Sequence, residues 1–183
     1  MNKEVKKSII FIIFWLFGIV LIFDRLLANF SSVITFGTGV ECGSIALGDI
    51  NNDGALDLIV SGMDDTGSRR LDKYINDGTG NFSGPTSVGT GVHYSSIALG
   101  DIDNDGALDL IVTGTNDNSG RLDKYINDGT GNFSGPTSVG TGVHYSSVAL
   151  GDINNDGALD LIVSGMDDTG SRKLDKYIND GTG

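Results

Sequence analysis

Apolar and polar positions fall in short alternating blocks along most of this chain. Beyond residue 28 no stretch keeps a helical period, and the apolar runs are cut by clusters of Gly, Asp and Asn. Leu108–Gly114 is a continuous Leu/Ile/Val run, the pattern of a strand buried on both faces. Ser96–Asp101 is a small apolar strand candidate before it. Leu122–Asn127 is another after it, ended by the hairpin signal Asp128-Gly129-Thr130-Gly131. Asn81–Val88 is a weaker strand, closed by the turn signal Gly89-Thr90-Gly91.

The first 28 residues read differently. Lys3, Lys6 and Lys7 precede an apolar run from Ile9 to Phe23, the order of a secretory signal. This segment is expected to form one hydrophobic N-terminal helix. Its 15 apolar residues suit a signal peptide, since a full span needs about 20. Ala28 suits the position before a cut, whereas Leu26 and Trp15 suit a retained anchor, and both readings stay open. Either exports the repeat region and keeps the lysine end cytoplasmic.

The strand pattern repeats. Asn29-Phe30-Ser31 returns as Asn81-Phe82-Ser83 and Asn132-Phe133-Ser134, dividing the chain into units 29–80, 81–131 and 132–183. The units hold 52, 51 and 52 residues, and the length change falls at Thr115–Gly120 against Met63–Ser68, which marks a surface loop. A four-stranded meander repeating at about 50 residues is the pattern of a β-propeller blade. The expected fold is therefore all-β, with three four-stranded antiparallel repeats forming part of a propeller.

One stretch in each unit carries chemistry. Gly48–Val60 returns almost unchanged at Gly100–Val112 and Gly151–Val163. Acidic or amide side chains occupy loop positions one, three, five and nine: Asp49, Asn51, Asp53 and Asp57 in the first copy. The second copy has Asp101, Asp103, Asp105 and Asp109, the third Asp152, Asn154, Asp156 and Asp160. The carbonyls of Ala55, Ala107 and Ala158 sit at the seventh position, and a glycine follows the fifth, where the chain turns sharply. This set of hard oxygen donors predicts about three structural Ca²⁺ ions, one per loop. It is not an EF-hand: that loop needs Glu at position twelve, and here the residue is Val60, Val112 or Val163.

Charge narrows the partners. The formal net charge is −12, and residues 29–183 carry 22 Asp/Glu against eight Lys/Arg. Such a surface repels phosphates, which argues against nucleic acid and for metal cations. One cysteine, Cys42, and two histidines cannot build an internal disulfide or a Cys/His zinc site. His93 near Ser95 invites a catalytic triad, but the pair recurs as His144 and Ser146, and the first unit lacks the histidine. No catalytic residue is assigned, and no enzyme is expected. The Asn-x-Ser triplets at Asn29, Asn81 and Asn132 are formal glycosylation sequons.

The run ALGDINNDGALDLIVSG, followed by YINDGTGNF, resembles the FG-GAP/VCBS repeat, the blade unit of integrin α-subunit-like β-propellers. The resemblance covers residues 29–183 and departs from the family in repeat number, since propellers close with 4–8 blades and three should not close alone. It implies that partners meet the face opposite the calcium loops. That face is expected to hold Asp64, Asp65, Arg69 and Arg70, the pairs His93-Tyr94 and His144-Tyr145, and Glu41-Cys42 in the first unit. The expected function is a secreted or cell-surface, calcium-stabilised module for binding an extracellular protein or glycan, membrane-attached if the leader is uncleaved. The alternative is a structural or truncated portion of a longer propeller, originally joined to a catalytic domain. The exposed strands at the two ends are complementary, so head-to-tail self-association is also expected.

Overall fold

The computed structural model describes residues 33–117 and 119–183. The expected leader helix lies outside the described residues. So do Asn29–Ser32 of the strand that the repeat pattern places before the first unit. The expected strand is Asn29–Gly37, and its described part, residues 33–37, is not a strand.

Nine strands lie within the compact unit Phe36–Gly183. They are β1 (Glu41–Gly48), β2 (Asp57–Met63), β3 (Arg69–Asn76), β4 (Phe82–Gly100), β5 (Asp109–Asn116), β6 (Ser119–Asn127), β7 (Phe133–Gly151), β8 (Asp160–Met166) and β9 (Arg172–Tyr177). Each pairs antiparallel with the next, giving one curled, propeller-like half-barrel and no helix among the described residues.

The long strands β4 and β7 divide this succession. The first part of β4 pairs back onto β3, from Asn76↔Phe82 to Arg70↔Val92. Its second part pairs forward onto β5, from His93↔Thr115 to Gly100↔Asp109. β7 does the same between β6 and β8. Three leaves result: β1–β2–β3 with the start of β4, the end of β4 with β5, β6 and the start of β7, and the end of β7 with β8 and β9. The repeat pattern predicts four strands in every unit, but the leaves have four, four and three. The first strand of the second and third units serves as the outer strand of the leaf before it.

The predicted turn at Gly89-Thr90-Gly91 is instead a bulge within β4, where the register on β3 shifts between Asp72↔Ser87 and Arg70↔Val92. These glycines serve close approach. A Cβ at Gly89 would strike the Tyr125 ring, and one at Gly91 the backbone of Arg69.

Leaves pack face to face. Leu99 and Leu108 of the second leaf cover Gly48 of the first, so closely that a Cβ there would lie 2.7 Å from Leu108 Cδ1. Leu150 and Leu159 cover Gly100 in the same way, at 2.8 Å. The hydroxyls of Ser61 and Ser95 meet at 2.8 Å, and those of Thr113 and Ser146 at 2.7 Å, from one leaf to the next. Asn127 is the most buried polar staple. Its amide group donates to Ile50 O of the preceding leaf at 2.8 Å and to Leu108 O at 3.0 Å, while its Oδ1 accepts from the amides of Gly129 and Gly131. Asn179 repeats the reach with a 2.6 Å bond to Ile102 O. Asn76 bonds only within its own leaf, to Leu56 O, and is partly open to water.

The hairpin turns beside these asparagines hold charged aspartates. Asp77 Oδ1 accepts the Thr79 hydroxyl and amide, and its Oδ2 accepts from the Asn81 side chain; Asp128 repeats this with Thr130 and Asn132. The Thr79 hydroxyl is the largest influence lowering the Asp77 carboxyl to about 2, as the Thr130 hydroxyl does at Asp128.

Two expectations arise from this geometry. Asn127→Ala should cost about 2–3 kcal/mol in urea unfolding, because it strands a buried carbonyl, and Asn76→Ala about 1 kcal/mol. Equal costs would remove the staple. For the turns, a folded carboxyl below its unfolded value of about 3.9 stabilises the fold above that pH and loses the effect as pH falls toward about 2. The stability gap between the wild-type chain and Asp77→Asn/Asp128→Asn, measured in chelator, should therefore shrink from pH 4 to pH 2. A gap constant across that window would contradict the turn assignment.

Candidate metal centre

Each acidic loop bridges two strands of one leaf, from Gly48 to Asp57, Gly100 to Asp109 and Gly151 to Asp160. The position-nine aspartates Asp57, Asp109 and Asp160 are fully buried at the heads of the central strands. Asp109 accepts the Ile102 amide on Oδ2 at 3.0 Å and the Asn127 amide on Oδ1 at 2.9 Å. Asp57 does the same with Ile50 and Asn76, and Asp160 with Ile153 and Asn179. One side chain thus ties the loop entrance to the end of the third strand of its leaf.

The position-one aspartates fold the loop over themselves. Asp49 accepts the amides of Asp53 and Gly54 at 3.0 and 2.8 Å. Asp101 takes those of Asp105 and Gly106, and Asp152 those of Asp156 and Gly157. These bonds aim the carboxylates inward while leaving lone pairs free on each oxygen. Position five turns one oxygen to the amide of the seventh residue: Asp53 to Ala55, Asp105 to Ala107 and Asp156 to Ala158. In the first and third loops its other oxygen accepts from the position-three amide, Asn51 or Asn154.

In the second loop, ligand oxygens of Asp101, Asp103 and Asp109 all lie within 4.8 Å of one another. Asp105 is not among the three. Burial raises the Asp109 carboxyl above the ordinary aspartate range, the amides of Asn127 and Ile102 oppose the rise, and the negative charges of Asp103 and Asp105 add to it. A convergent, oxygen-only and negatively charged donor set fits a hard divalent cation and does not fit a soft one.

The opposite side of the sheet differs from a loose rim. Asp64 is buried and takes the Thr66 hydroxyl, two loop amides and Arg70 at 2.6 Å, so Asp64 and Arg70 are mutually engaged. Arg69 reaches the next leaf, donating to His93 Nδ1 at 3.1 Å and to Asp117 at 2.8 Å. Gly120 holds the place of Arg69 in the second leaf, and the Nδ1 of His144 is buried there without a partner. The Ser95 hydroxyl pairs with Ser61, not with His93. Tyr94 and Tyr145 stack at 4.3 Å between ring centroids, on bulges where both backbones take positive φ of 49° and 50°. A bulky residue held left-handed is costly, and here the conformation brings two rings together across adjacent leaves.

In the sequence, the staples Asn127 and Asn179 read only as strand ends before a turn. Their recurrence at one place in each unit was the available signal.

No curated protein matches the chain significantly. The model of the FG-GAP-like repeat matches residues 61–112 and 107–163. The first match contains the loop at Asp101–Asp109 and the second the loop at Asp152–Asp160, each with its flanking strands. The two matches cover more than half of the 183 residues, the strands they span connect as blades do, and the chain belongs to the FG-GAP-like repeat family.

Proposed function

We propose that this chain is an exported, non-catalytic repeat module in which calcium has a structural role and the opposite rim binds an extracellular protein or glycan. The observation that carries the calcium reading is the convergence of Asp101, Asp103 and fully buried Asp109 in one loop. Asp49, Asn51, Asp53 and Asp57 would hold an ion in the first loop, and Asp152, Asn154, Asp156 and Asp160 in the third. Asp105 and the carbonyls of Ala55, Ala107 and Ala158 complete the candidate donors. A bound cation supplies the positive charge that offsets the clustered carboxylates. The chain itself orients those carboxylates through loop amides and couples the first and second loops to the next leaf through Asn127 and Asn179.

The rim reading rests on Tyr145, which is largely solvent-exposed beside Tyr94. An exposed tyrosine offers a rigid apolar face with a polar tip, suited to a sugar ring or a protein side chain.

Calorimetric titration should find about three sites with Kd of about 10⁻⁴–10⁻³ M. Tenfold saturation of three such sites adds about 4 kcal/mol, raising Tm by about 10 °C over chelator. Asp109→Asn should remove one site and about a third of that gain. An unchanged Tm in calcium and in chelator would end the calcium reading. For the rim, retention on immobilised glycans or matrix proteins should be lost in Tyr145→Ala with the calcium response intact. Retention unaffected by that substitution would place recognition elsewhere.

A further inference from the structure

We propose that a second copy of this chain seats head to tail on the first, the first leaf of one copy against the third leaf of the other. The chain already makes this junction twice internally, and its two end leaves present the unmatched halves. Leu99 and Leu108 cover Gly48, and Leu150 and Leu159 cover Gly100. The corresponding pair on the first leaf, Leu47 and Leu56, is 58% and 57% exposed. The corresponding seat on the third leaf, Gly151, has nothing within 4 Å of where a Cβ would lie. On the same leaf Leu174, on a strand without the outer partner that β3 and β6 have among the described residues, is 76% exposed, whereas its counterparts Leu71 and Leu122 are each 1% exposed. A leucine pair without a seat and a seat without a leucine pair are complementary by the repeat's own geometry.

Charge favours a copy of this chain as the occupant. Arg69 crosses the first internal junction to His93 and Asp117. Arg172 holds the same sheet position on the third leaf, opposite Met166 as Arg69 is opposite Met63. On the first leaf, Glu41 stands where His93 stands in the second, and Asp65 where Asp117 stands. A junction between copies therefore brings Arg172 to two carboxylates, one more than the internal junction offers Arg69. Asn76 likewise has the place from which Asn127 and Asn179 reach the preceding leaf. Two internal contacts have no counterpart: Gly43 replaces the serine of the hydroxyl pairs, and Cys42 replaces the tyrosine of the Tyr94–Tyr145 ring contact. Heterologous contacts close into rings or grow as filaments. The described residues of two copies supply six leaves, within the 4–8 of closed propellers, so the expected assembly is a closed pair.

The test is the mass of the full chain in mild detergent and millimolar calcium, by light scattering with the detergent contribution subtracted. Wild type should show twice the 19.2 kDa chain mass. Leu47→Asp and Leu174→Asp should each be monomeric alone. Their equimolar mixture should recover the doubled mass, since each retains the face that the other lacks. Arg172→Glu should weaken the pair at least tenfold, and Glu41→Arg in the same chain should restore it. These positions are exposed, and unchanged circular dichroism confirms that the variants fold. A monomeric wild type, a mixture that stays monomeric, or mass growing without limit as concentration rises overturns the closed pair. The calcium sites are not part of this test: loss of calcium binding with the pair intact would contradict only the calcium reading.

Discussion

At the head of each central strand an aspartate lies fully buried, one oxygen holding the amide that begins the loop and the other the amide beyond the third strand of its leaf. The loop, the hairpin and the neighbouring leaf all hang on this arrangement. Asp109 fixes the Asn127 amide, and the Asn127 side chain reaches Ile50 O in the preceding loop. A charge buried beside two further carboxylates is costly unless something of opposite sign sits among them. Backbone amides meet part of that need. The calcium reading rests on the remainder.

The same arrangement explains why the leaves stack in one direction. Each leaf offers a glycine seat and a loop carbonyl on one face, and leucines and an asparagine on the other. The contacts recur at near-constant sequence separation because the junction is a property of the repeat. Departures from the repeat have visible consequences. Where Gly120 replaces arginine, His144 is left with a buried, unpartnered nitrogen, while Arg69 satisfies His93. Near-identical sequence therefore gives near-identical strands but junctions of unequal polarity.

Much of this was legible in the sequence. The strand at Leu108–Gly114 was signalled by its unbroken apolar run, and the loops by their acidic spacing around a glycine. What failed was the reading of residues whose roles lie between leaves. Gly89 and Gly91 carry the ordinary signal of a turn, yet they form a bulge within a 19-residue strand, where Tyr125 and Arg69 approach them closely. Asp64 reads as an exposed loop acid, but its neighbours Thr66, Ser68 and Arg70 enclose it. Asn127 reads as the last residue of a strand, since its long-range bond to Ile50 has no local sequence mark. Local patterns report local geometry, and the stacking of leaves is not local.

The most direct test of the buried-carboxylate account is a crystal structure of the chain grown in millimolar calcium. The account predicts density for a cation among Asp101, Asp103 and Asp109, at oxygen distances of about 2.3–2.6 Å, with the Asn127 staple to Ile50 preserved. A loop closed by its own amide bonds with no cation at saturating calcium would contradict it.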